Sequence, residues 1–308
     1  MLRIEKLVKK YGNFTAVNDL SLTLNRGDIF GFVGPNGAGK TTTMRVVAAL
    51  MKASSGTVYV DGINVAQRPR EAKAKLGYMP DFFGVYDNLK VNEYMDFYGS
   101  CYGISLSDRK RRTGELLELV DLLDKEDAYV DTLSRGMKQR LCLARSLIHN
   151  PELLILDEPA SGMDPRARIE MKGILKTLKT MEKTILISSH ILHELVELCS
   201  CIGVIERGRL VYSGRVEDLM SRLEGRSMIR LRVLSDVDKA VNLLKEQPYI
   251  TEINGEDNEL DIGYEGGQED MARLLKLLVE NDIPVISFSE IAGNIEKVFL
   301  EVTKSAGE

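Results

Sequence analysis

The stretch Gly34-Pro-Asn-Gly-Ala-Gly39-Lys40-Thr41-Thr42 decides the fold class. It follows an apolar run, 28–33, that predicts a buried strand, and it precedes a segment, 41–50, that predicts an apolar helix. Such a glycine-rich turn lets successive backbone N–H groups and the helix N-terminus point at one anion. The pattern matches GxxxxGK[ST], in which the lysine reaches the terminal phosphates of a nucleotide and the next hydroxyl ligates Mg²⁺. The residues expected to touch the nucleotide are Gly34, Pro35, Asn36, Gly37, Ala38, Gly39, Lys40, Thr41 and Thr42.

A pair of acids ends a second buried strand. Four aliphatic residues, 153–156, are followed directly by Asp157 and Glu158. We expect Asp157 to hold Mg²⁺, directly or through a water molecule, and Glu158 to orient and polarise the attacking water. Two acids at this point could also simply end a strand in solvent, and the phosphate loop favours the catalytic interpretation. A further apolar run, 184–188, adds another buried strand, so strands alternate with helices and predict an α/β fold with a parallel sheet.

Composition limits the possible functions. The chain has 308 residues, of which 44% are hydrophobic, and this length predicts about two domains. Its 41 basic and 46 acidic residues give a net charge of −5, so no nucleic-acid partner is expected. The four cysteines show no CxxC spacing and predict neither a disulfide framework nor a zinc site. No apolar stretch approaches the ~18 residues needed to cross a bilayer, so the sequence predicts a cytoplasmic chain.

The hydrophobic periodicity changes near residues 219–225. We expect a nucleotide-binding domain over 1–220, with a helical subdomain inserted at about 85–150. The rest, 226–308, shows the order β-α-β-β-α-β and predicts a small ferredoxin-like α+β domain. A short helix is predicted after it, around 295–302.

A third segment distinguishes among proteins that carry such a phosphate loop. Leu133-Ser-Arg-Gly-Met-Lys-Gln-Arg140 resembles the LSGGQ signature of ABC ATPases, in a form common among exporter subunits. Ser134 is a good helix N-cap, and a helix start with serine and glycine is a second anion site. The resemblance implies a head-to-tail dimer in which this segment contacts the partner's ATP. The residues concerned are Ser134, Arg135, Gly136 and Gln139. Ser161-Gly-Met-Asp164 resembles the D-loop, so Ser161 and Asp164 are expected beside the partner subunit.

Other landmarks of the family fall in the expected order. Tyr11 occupies the position of the aromatic residue that stacks on adenine, and Val17 that of a neighbouring apolar contact. His190 follows Glu158 by 32 residues and resembles the switch histidine that contacts the γ-phosphate. His149 and His193 match no landmark, and we expect both at the surface.

One position departs from the family pattern. In the segment 77–84 the glutamine of the Q-loop is replaced by Asp81. A carboxylate can ligate Mg²⁺ but cannot donate a hydrogen bond as an amide does. We expect Asp81 to ligate the metal and keep the hinge role; the alternative is weakened coupling or a shifted metal geometry. The aromatic residues that follow, Phe82, Phe83 and Tyr86, could contact a permease or belong to the core.

The resemblance covers about residues 1–220 and implies a P-loop NTPase with the ABC-type fold. It implies an ATP-hydrolysing, Mg²⁺-dependent subunit of an ABC-2-type exporter, peripheral on the cytoplasmic face of the membrane. The implied partners are a second copy or a paralogous ATPase chain, and a separate polytopic permease. The C-terminal part resembles the accessory domain of such exporter subunits. Two alternatives stay open here: a soluble ABC ATPase acting on ribosomes or DNA, and an ATP-binding regulator without turnover.

Overall fold

The chain forms two compact units, Met1–Val216 and Glu217–Glu308. The computed structural model describes residues 1–81, 84, 88–219, 227–256 and 258–291. Phe82, Phe83, Tyr86 and the helix predicted around 295–302 lie outside these ranges. Within them, none of the helices is long and apolar enough to cross a membrane.

The first unit contains ten strands, seven α-helices and two short 3₁₀ helices, Leu123–Lys125 and Val130–Thr132, among its described residues. The strands are β1 (Leu2–Tyr11), β2 (Phe14–Leu24), β3 (Ile29–Val33), β4 (Ser55–Val60), β5 (Ile63–Asn64), β6 (Leu76–Met79), β7 (Leu153–Asp157), β8 (Thr184–Ser189), β9 (Cys201–Glu206) and β10 (Arg209–Arg215). The helices are α1 (Lys40–Val47), α2 (Pro69–Lys75), α3 (Val91–Cys101), α4 (Leu106–Leu119), α5 (Arg135–Leu147), α6 (Pro165–Thr180) and α7 (Leu192–Val196).

A six-stranded sheet forms the centre of this unit. Its order is β10-β9-β3-β8-β7-β6, and every pair is parallel except β10 with β9. All residues of β3, β7 and β8 are buried, which is why these strands read as continuous apolar runs rather than alternating ones. The predicted parallel sheet is confirmed. Because the strands run the same way, the ends of β3, β7 and β8 bring the phosphate loop, the paired acids and the histidine to one edge.

A second sheet, antiparallel and of order β2-β1-β4-β5, was not anticipated from the sequence. Its strands are half-exposed, and the register of β1 against β2 shifts after Ile4 and again after Leu7. These irregularities confine the two-residue alternation by which a strand is recognised to short runs at the start of β1 and the end of β2. The buried side chains of β1 nevertheless share one core with Phe30 and Phe32 of β3.

Helices α3, α4 and α5 lie between β6 and β7 in the chain, where the sequence predicted an inserted helical segment. Ser134 caps α5, as predicted, because its Oγ accepts a hydrogen bond from the backbone N–H of Met137 at 3.2 Å. Cys142 of α5 and Cys199 are buried free thiols.

The second unit contains β11 (Ser227–Val233), α8 (Val237–Lys245), β12 (Ile250–Glu256), β13 (Glu259–Tyr264), α9 (Gln268–Glu280) and β14 (Val285–Ile291). Its sheet has the order β12-β13-β11-β14, and all pairs are antiparallel. This arrangement is the ferredoxin-like topology expected from the element order. Apolar residues of both helices pack on the sheet, with Leu244 and Leu274 fully buried.

Candidate active site

The phosphate loop joins β3 to α1 and has a buried base and an exposed tip. Pro35, Asn36 and Gly37 form the tip, whereas Gly34 is buried. Any side chain at Gly34 would overlap the carbonyl oxygen of Ile205 in β9. Gly37 and Gly39 have φ angles of 81° and 108°, which are strained for any residue with a Cβ. The glycines thus permit both the turn and its close packing on the sheet.

A turn far away in sequence supports this loop. Gly208, between β9 and β10, donates its N–H to the carbonyl of Ala38 at 2.9 Å, and its own carbonyl accepts from the N–H of Asn18 at 2.8 Å. The carbonyl of Ala16 lies so close that a Cβ on Gly208 would be 2.7 Å from it. Gly208 therefore connects the phosphate loop to β2, a role that no motif in the sequence predicts.

The prediction that Val17 contacts adenine is wrong. Its side chain is 0% exposed and belongs to the core between the two sheets. Ala16, one residue earlier, is the neighbour whose carbonyl lies beside Gly39 of the phosphate loop.

Lys40 is the first residue of α1 and is only 5% exposed. Its Nζ donates to the carbonyl of Gly34 at 2.6 Å and to that of Pro35 at 3.3 Å. The same ammonium lies 3.5 Å from Oε1 of Glu158. The charge is therefore held inside the loop, next to one of the paired acids. Thr42 follows on α1 and is half-buried.

Asp157 ends β7 with a wholly buried carboxylate. Its Oδ1 accepts hydrogen bonds from the hydroxyl of Thr41 at 3.1 Å and from that of Ser188 at 2.8 Å. Its Oδ2 has no hydrogen-bond partner among the described residues. Burial raises the pKa of Asp157 above its ordinary value, and the charges of Asp81 and Glu158 raise that pKa further. A cation at Oδ2 would relieve all three effects.

The donor set fits Mg²⁺. A free carboxylate oxygen of Asp157 beside the hydroxyl of Thr41 supplies the hard oxygen ligands that this ion prefers. Asp81 is exposed, and its charge acts on Asp157, so the two carboxylates share one neighbourhood. Whether Asp81 ligates the metal stays a prediction.

Glu158 is positioned by its backbone as well as by its side chain. Its φ angle of 49° lies in the left-handed region, which is uncommon outside glycine and clusters at functional sites. Its N–H donates to the hydroxyl of Ser188 at 2.9 Å, and its Oε2 lies 2.8 Å from Nδ1 of His190. Its Oε1 has no hydrogen-bond partner among the described residues. The structure thus brings His190 and Glu158 together, as the sequence predicted, and places the other carboxylate oxygen beside the Lys40 ammonium.

Ser188 is the residue that sequence reasoning missed. Its hydroxyl donates to Asp157 and accepts from the Glu158 backbone, so one buried side chain orders both acids. A serine inside an apolar strand carries no motif. The available signal was its position, two residues before His190 on the strand beside the acids.

Tyr11, at the end of β1, is 47% exposed. Its hydroxyl donates to Sδ of Met51, and the Lys9 ammonium lies 5.1 Å from the ring centroid. The ring is thus held at the surface, and its stacking on adenine stays a prediction.

The signature segment contacts the D-loop of its own chain. Arg135 and Gln139 both donate to the carbonyl of Ser161, at 3.2 Å and 2.9 Å. The Arg135 guanidinium also lies where a side chain on Gly162 would be. Arg135 and Gln139 were expected to contact ATP across a dimer, and within the single chain their side chains are engaged here instead.

The other predicted residues of the signature segment and the D-loop are Gly136, Asp164 and Ser134, and the first two stabilise helix ends or helix packing. Gly136 packs against α6, since a Cβ there would lie 2.9 Å from that of Ala167. Asp164 caps α6 by accepting the N–H of Ala167 at 3.0 Å. Ser134 is exposed, as a contact with a second subunit requires.

His149 and His193, which match no family landmark, were both expected at the surface; the prediction is confirmed for His193 and wrong for His149. His193 is exposed, but His149 is partly buried. The His149 ring stacks on Tyr102 with centroids 3.8 Å apart, and its Nε2 lies 3.0 Å from the carbonyl of Leu76. Since a carbonyl only accepts, Nε2 carries the proton.

Comparison with known proteins agrees with this geometry. Residues 17–161 match the family model described as ABC transporter. Linearmycin resistance ATP-binding protein LnrL of Bacillus subtilis is 33% identical over 305 residues, which cover 98% of each chain. Bacitracin transport ATP-binding protein BcrA of Bacillus licheniformis is 36% identical over 304 residues, covering 98% of this chain and 97% of the relative. A solved ATP-binding subunit of an ABC transporter superimposes with a TM-score of 0.66 at 27% identity, over 73% of this chain and 93% of the other. The chain therefore belongs to the family of ABC transporter ATP-binding proteins.

Proposed function

We propose that this chain is the Mg²⁺-dependent ATPase subunit of a multi-subunit ABC exporter. The observation that carries the proposal is the cluster of Lys40, Asp157 and Glu158 at one sheet edge, in which Oδ2 of Asp157 has no hydrogen-bond partner among the described residues. Relatives that match almost the whole chain support the exporter assignment, since they are named for bacitracin transport and linearmycin resistance.

The residues of the loop account for nucleotide binding. The loop N–H groups and the start of α1 face the position of the phosphates. Lys40 bonds two loop carbonyls, and a triphosphate would draw its ammonium toward the β- and γ-phosphates. Thr41 and Asp157 would hold Mg²⁺, which neutralises charge that develops on the phosphates. Tyr11 offers the ring face opposite Lys9 to the adenine.

Glu158 is the residue that we assign to the chemical step. Once the triphosphate has drawn the Lys40 ammonium away, its Oε1 accepts a hydrogen bond from a water molecule and orients it toward the γ-phosphorus. A bond forms from the water oxygen to phosphorus, the bond to the β–γ bridging oxygen breaks, and the proton of the water passes to Glu158. His190 holds Oε2 and so fixes the orientation of the carboxylate.

We further propose that two chains, identical or paralogous, close head to tail around ATP and drive a separate permease at the cytoplasmic face of the membrane. Exposed Ser134, at the start of α5, would then face the phosphate loop of the partner. ATP stabilises the closed pair, and hydrolysis removes that stabilisation, so each cycle shifts the population between two arrangements.

The variant Glu158→Gln tests the catalytic assignment. It keeps the size of the side chain but cannot accept the proton, so ATP binding is retained and turnover falls at least about 100-fold. Light scattering should then show an ATP-dependent dimer. Glu71→Gln, on the exposed side of α2, is the matched control and keeps normal turnover. Unchanged turnover in Glu158→Gln would refute the assignment.

Mixing two variants in that background tests the composite site. Lys40→Ala and Ser134→Ala each spoil both sites of their own dimer, whereas a mixed dimer keeps one intact site. ATP-dependent pairing should therefore return on mixing. If the mixture pairs no better than either variant alone, the head-to-tail arrangement is wrong.

A further inference from the structure

Arg135, the first residue of α5, is exposed, but its guanidinium is held against its own chain. Its Nη2 donates to the carbonyl of Ser161 at 3.2 Å, and the guanidinium occupies the space that a side chain at Gly162 would fill. A hydrogen bond from a charged donor is stronger than one between neutral groups. The start of α5 is therefore tied to the D-loop, 161–164.

The carbonyl that Arg135 holds belongs to a turn that begins at Glu158. The N–H of Ser161 donates to the carbonyl of Glu158 at 3.0 Å, which closes the four-residue turn 158–161. The N–H of Glu158 donates to the hydroxyl of Ser188 at 2.9 Å. One end of the turn is thus fixed by β8 and the other by α5. A residue with a φ angle of 49°, as at Glu158, keeps that conformation only where its surroundings impose it.

Two neighbours of Arg135 on α5 make this attachment rigid. Gly136 is buried, and a Cβ there would lie 2.9 Å from that of Ala167, so the crossing of α5 and α6 leaves no room for a side chain. Gln139 is 2% exposed, and its Nε2 donates to the same Ser161 carbonyl at 2.9 Å. Helix α5 therefore cannot move away from the D-loop without opening close-packed contacts.

Gly162 shows what an arginine contributes at position 135. The φ angle of Gly162 is 65°, in the left-handed region that glycine adopts without strain. A glycine also has more conformations open to it than any other residue, so it needs outside contacts to stay in one of them. The guanidinium of Arg135 covers Gly162 and bonds the residue before it. The glycine that LSGGQ carries at this position could do neither.

Arg135 and Ser134 are adjacent but are linked to different nucleotides. Ser134 is exposed, and in the proposed dimer it faces the ATP bound by the partner. The Arg135 side chain is engaged with Ser161, three residues after Glu158. In the proposed mechanism, Glu158 acts on the ATP bound by its own chain.

We propose that Arg135 is a positioning residue for Glu158 of its own chain and does not act on the partner's ATP. It acts through the turn 158–161, whose last carbonyl it holds. This inference rests on the proposed function, because it presumes a head-to-tail dimer in which Glu158 serves the chemical step. A misplacement of about 1 Å costs on the order of 100-fold in rate, and Gln139 still holds the carbonyl when Arg135 is removed. Arg135→Ala should therefore lower kcat about tenfold and change KM for ATP less than about twofold, since the phosphate loop is untouched.

A mixed dimer with one complete site separates the two possible roles of Arg135. The first copy carries Ser134→Ala and the second carries Lys40→Ala, so neither copy turns over ATP alone. In the mixture, the complete site contains Lys40 and Glu158 of the first copy and Ser134 of the second. Arg135→Ala is then added to one copy at a time. On the first copy it should lower the ATPase activity of the mixture about tenfold, whereas on the second copy it should change that activity less than about twofold.

Two further variants control for unspecific effects. Arg111→Ala is the matched control, because Arg111 is an exposed arginine whose described ion pairs, with Asp108 and Glu115, lie within its own helix. It should change the activity of the mixture on neither copy. Arg135→Lys keeps the charge and a donor but lacks the planar group that covers Gly162, so on the first copy it should recover about threefold of the loss. Because Arg135 is exposed, its substitution should leave Tm within about 2 °C.

The pattern of activity loss decides whether Arg135 acts within its own chain. A loss confined to the first copy supports the positioning role. An equal loss on both copies, a loss confined to the second copy, or full activity in both mixtures would overturn that role and leave the proposed function intact. If the mixture with unaltered Arg135 shows no more ATPase activity than its separate parts, the head-to-tail pairing of two copies is wrong and this inference with it.

Discussion

Replacing Ser188 by alanine is the sharpest test of how the site is held together. The substitution removes the 2.8 Å hydrogen bond to Asp157 and the 2.9 Å bond from the Glu158 N–H, both in the sheet interior. Leaving the buried Glu158 N–H unpaired costs about 1–3 kcal/mol, and losing one of the two hydrogen bonds to the Asp157 carboxylate costs about 1.5–3 kcal/mol, so the two losses give about 2.5–6 kcal/mol. For a unit of this size, 1 kcal/mol shifts Tm by roughly 2–4 °C, which predicts a fall of about 5–24 °C.

The effect on activity should be larger than stability alone explains. Ser188 anchors the Glu158 backbone at its left-handed φ angle, and a misplacement of about 1 Å costs on the order of 100-fold in rate. We expect steady-state ATPase below the melting range to fall about 10- to 100-fold. Ser189→Ala is the control, because Ser189 bonds the Ile191 N–H and Glu194 but neither paired acid. If Ser188→Ala keeps its Tm within about 2 °C and its full turnover, the described hydrogen bonds do not organise the site.

Two further substitutions test other parts of the structure. Gly34→Ala places a methyl group against a β9 carbonyl, so it should lower the free energy of unfolding by about 1–3 kcal/mol and weaken ATP binding. Gly114→Ala is the control and should do neither, because Gly114 faces open space on α4. Equal stability of the two variants in urea unfolding would contradict the packing argument. Burial lowers the pKa of His149, so the unfolded chain takes up a proton below about pH 6.5 while the folded chain does not, and this contribution to stability is lost as the pH falls. His149→Phe keeps a ring stacked on Tyr102 but cannot take up a proton. Between about pH 7.5 and 5.5 its urea midpoint should fall less than that of the unaltered chain or of the control variant His193→Phe. Parallel pH profiles of the urea midpoint for the three proteins would count against a buried neutral imidazole.

The parts of the fold that sequence could predict are those with a strong local signal. The parallel strands are uniformly apolar because both of their faces are covered, and the phosphate loop has a fixed spacing of glycines, lysine and threonine. The antiparallel sheet was missed because β1 and β2 are half-exposed and irregular in register. The alternation of buried and exposed residues in these strands is confined to short runs, and their buried side chains share a core with α1 and β7 as well as β3.

The site shows the same division. Lys40, Asp157, Glu158 and His190 were predicted from motifs, and the structure brings them together at one edge. Ser188 was not predicted, because its position two residues before His190 becomes informative only once the strand beside β7 is known. That neighbour is set by the sheet order, which no short stretch of sequence encodes.

Val17 shows what a family resemblance cannot predict for a single residue. A resemblance identifies the segment but leaves undetermined whether a given side chain in it faces the ligand or the core. The structure resolves this by burying Val17 completely.

The turn at Gly208 extends the nucleotide site to a part of the chain that carries no family landmark. With a φ of 79° and a neighbouring carbonyl where a side chain would be, the position accepts only glycine without rearrangement. Random mutagenesis should therefore recover inactive alleles at this hairpin, remote from the landmarks, and a probe attached to its flanking residues would sense nucleotide occupancy through the Ala38 carbonyl. The β9–β10 hairpin is thus a place to observe or disable the enzyme without touching its acids.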